Sequence, residues 1–338
     1  MSTLDLSTVS LPDFVRNAEI TWKKGAESFS SVIQGSGIVK EISIAQNTGN
    51  TREFSSMDLE LYAKDKAERE QSALARSQQG YSKIGTLYRV SLAQVITYQM
   101  RTQGKYKEIQ NTLLDLLPSA MRRRELDLQH RITFAANTSY TNMSGRTVDT
   151  TVGDTLALAS TAHTVRGSST TYRNILANNP QVSRGSVEAM EQMRIENSIN
   201  QLGQKVPCTD DVIWTTDDQN SINSVRELLR ATSTLESGAN AGVPNVYQTK
   251  YRHVVLPLVA TDKDGNVDST KSKYWGFAST RNSSFMLGVH EQPHVTPPST
   301  GDGVSVLTDD WTFAVNAGHM IVIPDPAWFS ISYGNGAA

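Results

Sequence analysis

The sequence predicts an α+β fold built around one long helix and one projecting β-hairpin. Apolar side chains recur at spacings of three, four and seven over residues 106–137, which places one apolar stripe along a helix. Before this helix, apolar and polar residues alternate from Tyr88 to Met100, the pattern of a strand with one buried face. After residue 184, helical periods and β-branched runs follow one another, which predicts a second domain of mixed α/β type.

The first part of the chain has the weakest pattern. Residues 1–37 mix short apolar groups with Ser, Asn and Gly without a sustained period, so we expect an extended arm. Residues 38–49 begin with a short alternating strand and run into the turn cluster Asn47-Thr48-Gly49-Asn50. The chain is therefore expected to leave the core near residue 50.

Residues 50–89 predict a long hairpin, with an outgoing strand over 57–63 and an incoming strand over 80–100. Between residues 52 and 76, 11 of 25 residues are charged, against 20% of the whole chain. A tip of this composition cannot form a core of its own, and a two-stranded hairpin is marginal alone in water. We therefore expect the hairpin to lie on a neighbouring molecule.

Pro118 falls inside the long helical pattern. Because proline has no N–H and is tolerated in a first helical turn, we expect one helix to end and another to restart at Pro118. Residues 138–183 are rich in Ser, Thr, Asn and Gly and predict mostly ordered loop. The elements expected beyond them are a helix from Ser186, a strand at 212–215, a helix headed by Asp217, a strand at 251–260 that returns through an Asp264-Gly265 turn as 274–277, and short strands at 285–289, 304–307, 311–315 and 320–323.

Composition bounds the class of protein. A chain of 338 residues can bury a substantial core, and its formal net charge of -2 gives no global reason to bind nucleic acid or an anionic membrane. The lone Cys208 excludes an internal disulfide, fits a reducing cytosol, and is interpreted as a small buried apolar residue. No apolar run approaches the roughly 20 residues that span a bilayer, and a signal-peptide layout is missing, so no membrane is expected.

Residues with candidate chemistry are few. His290 and His294 flank Glu291, but Pro293 excludes the helix on which both imidazoles would face one metal. The acidic run 262–268 resembles a calcium loop only loosely, because its glycine is misplaced, and a solvated turn is the better interpretation. No nucleophile or acid–base pair emerges. We expect no catalytic residue, no cofactor and no metal.

Three consecutive arginines, Arg122, Arg123 and Arg124, form the only dense cationic cluster in the sequence. On a helix they fan across about 200°, so either they form a solvated face or part of the set pairs with carboxylates on the hairpin of an adjacent copy. Exposed pairs of this kind contribute only about 0–1 kcal/mol each, but they set register. The candidate subunit-interface residues are Asp58, Glu60, Lys64, Asp65, Lys66, Arg122, Arg123 and Arg124.

Six short stretches carry a family resemblance. They are Val95–Met100, Tyr106–Ile109, Arg122–Glu125, Leu158–His163 with Thr171-Tyr172 after it, Tyr247–Thr249 before a β-branched strand, and Tyr274–Phe277. Together with the order of elements, they resemble the major capsid proteins of tailed double-stranded-DNA bacteriophages, which have the Hong-Kong-97-type fold. The resemblance covers most of the chain beyond the first 40 residues.

The resemblance implies a division of the chain in that family's terms. The expected parts are an N-terminal arm (1–37), a strand of the peripheral (P) domain (38–49), the E-loop hairpin (50–89), the P domain with its spine helix at about 106–137 (90–183), the axial (A) domain (184–278), P-domain return strands (279–318) and a C-terminal A-domain segment (319–338).

The resemblance also implies a function. The chain would self-assemble, as pentamers and hexamers, into an icosahedral head shell that encloses double-stranded DNA without reading its sequence. Its expected partners are itself, a separate scaffolding protein, a portal and a possible decoration protein. Assembly is expected in the host cytoplasm, and the final location in the virion. Two alternatives stay open, the shell of a bacterial cargo-holding nanocompartment (encapsulin-like) and, remotely, an enzyme.

Overall fold

The computed structural model describes residues 11–45, 49–75, 77–103, 106–165, 170–200, 202–232, 244–298 and 310–336. The helices within these ranges are α1 (Leu11–Ser28), α2 (Val32–Gly35), α3 (Tyr98–Thr102), α4 (Tyr106–Thr133), α5 (Arg184–Glu196) and α6 (Gln219–Arg230). The strands are β1 (Val39–Ser43), β2 (Thr51–Leu59), β3 (Ser77–Thr86), β4 (Tyr88–Ile96), β5 (Ser139–Thr141), β6 (Thr147–Asp149), β7 (His163–Thr164), β8 (Thr171–Tyr172), β9 (Val212–Thr215), β10 (Arg252–Val255), β11 (Trp275–Ala278), β12 (Phe285–Thr296) and β13 (Trp311–Val322). No helix among the described residues is long and apolar enough to cross a membrane.

A four-stranded sheet with the order β1-β12-β13-β4 forms the centre of the first domain. β12 and β13 are two long antiparallel strands, where the sequence predicted short strands at 285–289, 311–315 and 320–323. Because β13 runs unbroken to Val322, the predicted domain boundary between residues 318 and 319 falls inside a strand and is wrong. Pro293 lies where the β12–β13 register shifts, a position that tolerates a residue without an N–H. The predicted strand at 304–307 lies outside the described residues.

Helix α4 packs on this sheet and is continuous, so the predicted restart at Pro118 is wrong. Pro118 cannot donate to the carbonyl of Leu114, and that carbonyl lies against Gly25 of α1. A Cβ on Gly25 would come within 3.0 Å of the Leu114 oxygen, so the two helix backbones meet where only glycine fits. Tertiary packing at this point outweighs the helix-breaking tendency of proline.

Helix α1 also corrects the prediction of an extended arm at residues 1–37 from residue 11 onwards, while residues 1–10 lie outside the described part of the chain. Ala18 and Trp22, spaced by one helical turn, are buried in a cluster with Ile109 and Leu113 of α4. The ring of Trp22 meets that of Phe313 on β13 edge-on, with centroids 5.7 Å apart. The first helix is therefore part of the core.

The apolar stripe of α4 is confirmed. Leu113, Leu128 and Ile132 are buried and Leu117 is half-buried. The predicted strand before the helix ends earlier than expected, at Ile96, because the Thr97 side chain accepts from the Met100 N–H and caps α3.

Strands β2 and β3 form the predicted hairpin, paired from Thr51 with Thr86 to Leu59 with Ser77. The expected continuous incoming strand over 80–100 is instead divided at Leu87. Before that residue β3 pairs with β2, and after it β4 pairs with β13. The hairpin therefore leaves the main sheet at one residue.

The second domain contains a three-stranded sheet with the order β10-β9-β11, flanked by α5 and α6. The predicted hairpin between 251–260 and 274–277 is wrong, since β9 lies between those strands, and Pro257–Ala260 is a 3-10 helix. The Asp264-Gly265 turn is local, with Gly265 at φ 85°. Residues 324–336 return to this domain, where Ile331 bridges to Ile175.

One apolar cluster joins the two domains. It contains Leu128 and Ile132 of α4, Trp214 of β9, and Phe329 and Ile331 of the returning segment. The Trp214 and Phe329 rings stack with centroids 5.4 Å apart. The two domains therefore share a core.

Candidate functional site

The tip of the β2–β3 hairpin, residues 60–75, is the longest exposed segment in the described part of the chain. Every residue from 61 to 75 is exposed. Three of them are large and apolar, with exposed fractions of 49% for Leu61, 64% for Tyr62 and 89% for Leu74. Apolar groups of this size, gathered on one exposed segment, are typical of a protein–protein contact.

A few polar contacts hold the tip within its own chain. Lys64 pairs with Glu60 at 3.7 Å, and the Lys66 ammonium donates to the Ser72 hydroxyl at 3.3 Å. No polar contact of the Asp65 carboxylate is found among the described residues, and the side chain of Asp58 lies outside them.

The second domain supplies the remaining tip contacts. The Leu61 N–H donates to the Gln204 side chain at 2.9 Å, and the Tyr62 hydroxyl donates to the Lys205 carbonyl at 3.5 Å. The tip therefore rests on its own second domain without burying its apolar side chains.

The base of the hairpin is fixed firmly. Phe54 is buried with Met320 and Val322 of β13. The Lys83 ammonium pairs with Asp149 at 2.6 Å. Burial opposes ionisation of Asp149, but the hydrogen bonds from Lys83 and Thr151, together with the Lys83 charge, outweigh it and lower the pKa of that carboxyl. A rigid base and a loosely held tip allow the tip to be presented to another molecule.

A groove of about 710 Å³ lies between α4 and β4, hereafter the α4–β4 groove. β4 is the last strand of the main sheet, so one backbone edge has no strand beside it among the described residues. Apolar side chains, including the exposed Leu92 and Met143, line the groove. The charged residues of its lining are Arg89, Arg122, Arg123, Glu125 and Asp264.

The three consecutive arginines separate around α4 as the helix geometry requires. Arg122 is exposed and pairs with Asp115 at 3.1 Å. Arg123 is largely covered and pairs with Asp127 at 3.1 Å. Arg124 is buried, which lowers the pKa of its guanidinium, and its Nη1 reaches Gln292 at 3.5 Å. The predicted cationic cluster is therefore not a cationic surface, and only Arg122 offers a solvent-facing charge.

A buried polar network that sequence reasoning missed fixes these elements. The Tyr88 hydroxyl donates to Asp127 at 3.1 Å, and His319 Nε2 lies 3.4 Å from the same carboxylate. Burial acts against the Asp127 charge, yet the nearby imidazole of His319 and the charge of Arg123 lower its pKa. Residues 88, 127 and 319 are too far apart in sequence for any local pattern to join them. The network ties β4 and β13 to α4.

The described residues contain no group of three His, Cys, Asp or Glu side chains that could hold a metal. Cys208 is half-buried, not buried as expected, and its thiol donates to Asp210 at 3.3 Å. Burial raises the pKa of this thiol, which keeps it protonated at neutral pH. His290 and His294 both lie in β12.

The fold is mixed α/β, and solved structures from bacteriophages are similar to it. The similar structures include those titled "Gordonia phage Cozz" (12% identity over 89% of this chain and 85% of that chain, TM-score 0.48) and "Microbacterium phage Oxtober96" (11% identity over 90% and 91%, TM-score 0.48). Another is titled "The capsid of Myoviridae Phage XM1" (9% identity over 90% and 92%, TM-score 0.45). No family model and no curated protein matches this chain.

Proposed function

We propose that this chain is a structural shell subunit, the major capsid protein of a tailed bacteriophage. It self-assembles as pentamers and hexamers into an icosahedral head that encloses double-stranded DNA. The single observation that carries this proposal is the exposed tip at residues 61–75 with its three large apolar side chains. In this proposal β2–β3 is the E-loop, α4 is the spine helix, and residues 184–278 with the returning segment 324–336 form the A domain.

The tip of one copy docks in the α4–β4 groove of the next. Full burial of a large apolar side chain contributes about 1.5–3 kcal/mol, and Leu61, Tyr62 and Leu74 are all available. The contacts given up, from Leu61 to Gln204 and from Tyr62 to Lys205, contribute only about 0.5–1.5 kcal/mol each. Burial of these side chains on a neighbour therefore contributes more than the contacts given up, and the surplus offsets part of the cost of association.

Tip and groove are different surfaces, so each copy both gives a tip and receives one. Such a heterologous contact generates rings when its rotation closes, as pentamers and hexamers require. Arg122 on the groove faces acidic tip residues of the neighbour such as Glu60 or Asp65. Such ion pairs add little binding energy, but they fix the alignment of the tip in the groove. Arg123 and Arg124 are held inside their own subunit and stay out of this pairing.

The remaining parts of the proposal follow from a purely structural role. The subunit performs no catalysis and binds no membrane, it assembles in the host cytoplasm, and a separate scaffolding protein and a portal direct the shell, with a possible decoration protein outside it. The half-buried, protonated Cys208 supports the absence of a nucleophile.

The test is assembly of the expressed chain, with and without a scaffolding protein, followed by sedimentation and negative-stain electron microscopy. We expect closed shells from the wild type and unassembled, folded subunits from the double variant Leu61→Ser/Leu74→Ser. Val267→Ser is the matched control, since Val267 is also 89% exposed but lies off the tip. Shells from the double variant as abundant as those from the control would contradict the proposal.

A further inference from the structure

The second domain contains a groove of about 690 Å³ between α6 and β10, hereafter the α6–β10 groove. Arg226 and Arg230 line it from the end of α6, Arg252 lines it from the start of β10, and Lys250 lines it from the turn before that strand. Asp211 is the only carboxylate in the described lining. The groove is therefore strongly cationic, although the chain as a whole has a formal net charge of -2.

Three of these four cations have no acidic partner among the described residues. Lys250 pairs with Glu191, whereas Arg226, Arg230 and Arg252 are exposed and form no described ion pair. The Asp211 carboxylate already accepts from the backbone N–H of Thr280 at 2.8 Å and from its hydroxyl. Three guanidinium groups thus share one concave surface without a described counter-charge.

Two ordinary explanations account for only part of this arrangement. Arg226 and Arg230 lie near the C-terminus of α6, where the helix dipole favours cations, but Arg252 belongs to a strand. Internal pairing of several acids of the domain limits the carboxylates that a second copy of it could supply. The pairs are Arg184–Glu188 at 3.2 Å, Arg194–Asp210 at 2.6 Å and Lys271–Asp268 at 2.9 Å.

We propose that the α6–β10 groove binds successive phosphates of a duplex DNA backbone, through Arg226, Arg230 and Arg252. The inference rests on the proposed function, which brings the subunit close to packaged DNA. Arginine suits this ligand, because its planar group donates two parallel hydrogen bonds to one phosphate. Contact with the backbone alone carries no sequence information, so the binding is non-specific.

The α6–β10 groove, and not the run of three arginines in the sequence, forms a cationic surface in the described part of the folded chain. Arg122, Arg123 and Arg124 are consecutive but are paired with acids or buried, whereas Arg226 and Arg252 are distant in sequence and meet only in the fold. With three phosphates neutralised, the affinity falls by about 40-fold between 50 and 200 mM salt, from a slope of about -0.9 per phosphate.

The experiment measures binding of a fluorescein-labelled 24-bp duplex to the unassembled subunit by anisotropy, at salt concentrations between 50 and 200 mM. We expect Arg226→Gln/Arg230→Gln to weaken binding at least tenfold at 50 mM salt. The same variant, with one phosphate contact left, should reduce the salt dependence to about 3-fold. Arg252→Gln should weaken binding in the same direction. Arg122→Gln is the control, expected to bind as the wild type does.

Equal affinity and salt dependence in the wild type and the double variant would overturn the inference, as would a loss of the same size in Arg122→Gln. Displacement of the duplex by a second, unlabelled duplex of unrelated sequence supports it. Failure of folded Arg226→Gln/Arg230→Gln subunits to assemble would place the groove between copies and overturn the inference, while the proposed function stands. Arginine-dependent duplex binding by a wild type that never forms shells would support the inference and contradict the proposed function.

Discussion

The contact between α1 and α4 at Gly25 offers a sharp test of the packing. In Gly25→Ala, the new methyl would lie 3.3 Å from the Leu114 carbonyl carbon, within 3.0 Å of its oxygen and 3.5 Å from Pro118 Cγ. The obstacle is backbone of a buried helix, which cannot rotate away as a side chain can. α1 must therefore move off α4.

Two opposing effects determine the size of the change. Alanine is better than glycine in a helix by about 1 kcal/mol. Overpacking a well-packed contact costs about 1–3 kcal/mol, and displacement of α1 also loosens the buried Trp22. We expect the steric cost to exceed the helical gain, with a net loss of about 1–2 kcal/mol in the free energy of unfolding.

The assay is urea unfolding of the unassembled subunit, with Gly185→Ala as the matched control. Gly185 lies in the first turn of α5, and a Cβ there meets nothing within 4 Å. The control should be neutral or stabilised by up to about 1 kcal/mol, because only the helical gain applies. If Gly25→Ala is stabilised to the same extent as the control, the close approach of α1 to Pro118 is refuted.

Three further predictions concern the core. Leu128→Ala removes a fully buried side chain and should cost about 2–5 kcal/mol, seen as loss of soluble subunit; an unchanged urea midpoint would contradict the α4 register. Burial lowers the pKa of His130 from 6.5 to about 4, so the unfolded chain takes up a proton first as the pH falls. The contribution of neutral His130 to the free energy of unfolding should be fully present above about pH 6.5 and decline towards pH 4, by at most about 1.4 kcal/mol per pH unit. Urea midpoints measured across that range should fall less steeply in His130→Gln than in the wild type. Arg194→Met leaves the Asp210 carboxylate buried without its guanidinium and should cost about 3–5 kcal/mol in urea unfolding, with part of the loss restored when Asp210→Leu is added.

The sequence predicted correctly those elements whose burial depends on the pattern or composition of their own residues. The stripe through Leu113, Leu128 and Ile132 placed α4 on the sheet, because residues three and four apart share a helix face. The charge of residues 52–76 predicted a tip that does not bury itself, since solvation is a property of composition.

The failures share a physical cause, which is dependence on contacts distant in sequence. No residue near Pro118 in the sequence indicates that the Leu114 carbonyl, which Pro118 leaves without a donor, will lie against Gly25. The sequence alone therefore predicts that Pro118 breaks the helix. The strand at 251–260 was paired with its successor in the chain, whereas β9 inserts between them. The same limit hid the α6–β10 groove, because the separation of Arg226 from Arg252 is closed only by the fold.

The returning segment 324–336 sets the order in which the protein can be made. Phe329 and Ile331 are fully buried in the core that both domains share, and Ile331 exchanges backbone hydrogen bonds with Asn174 and Leu176. On the ribosome these residues emerge after every described helix and strand, so the nascent chain exposes an open core until they arrive. A subunit still being translated cannot offer a finished second domain to its neighbours. The second domain is therefore completed last, once residues 324–336 have been translated.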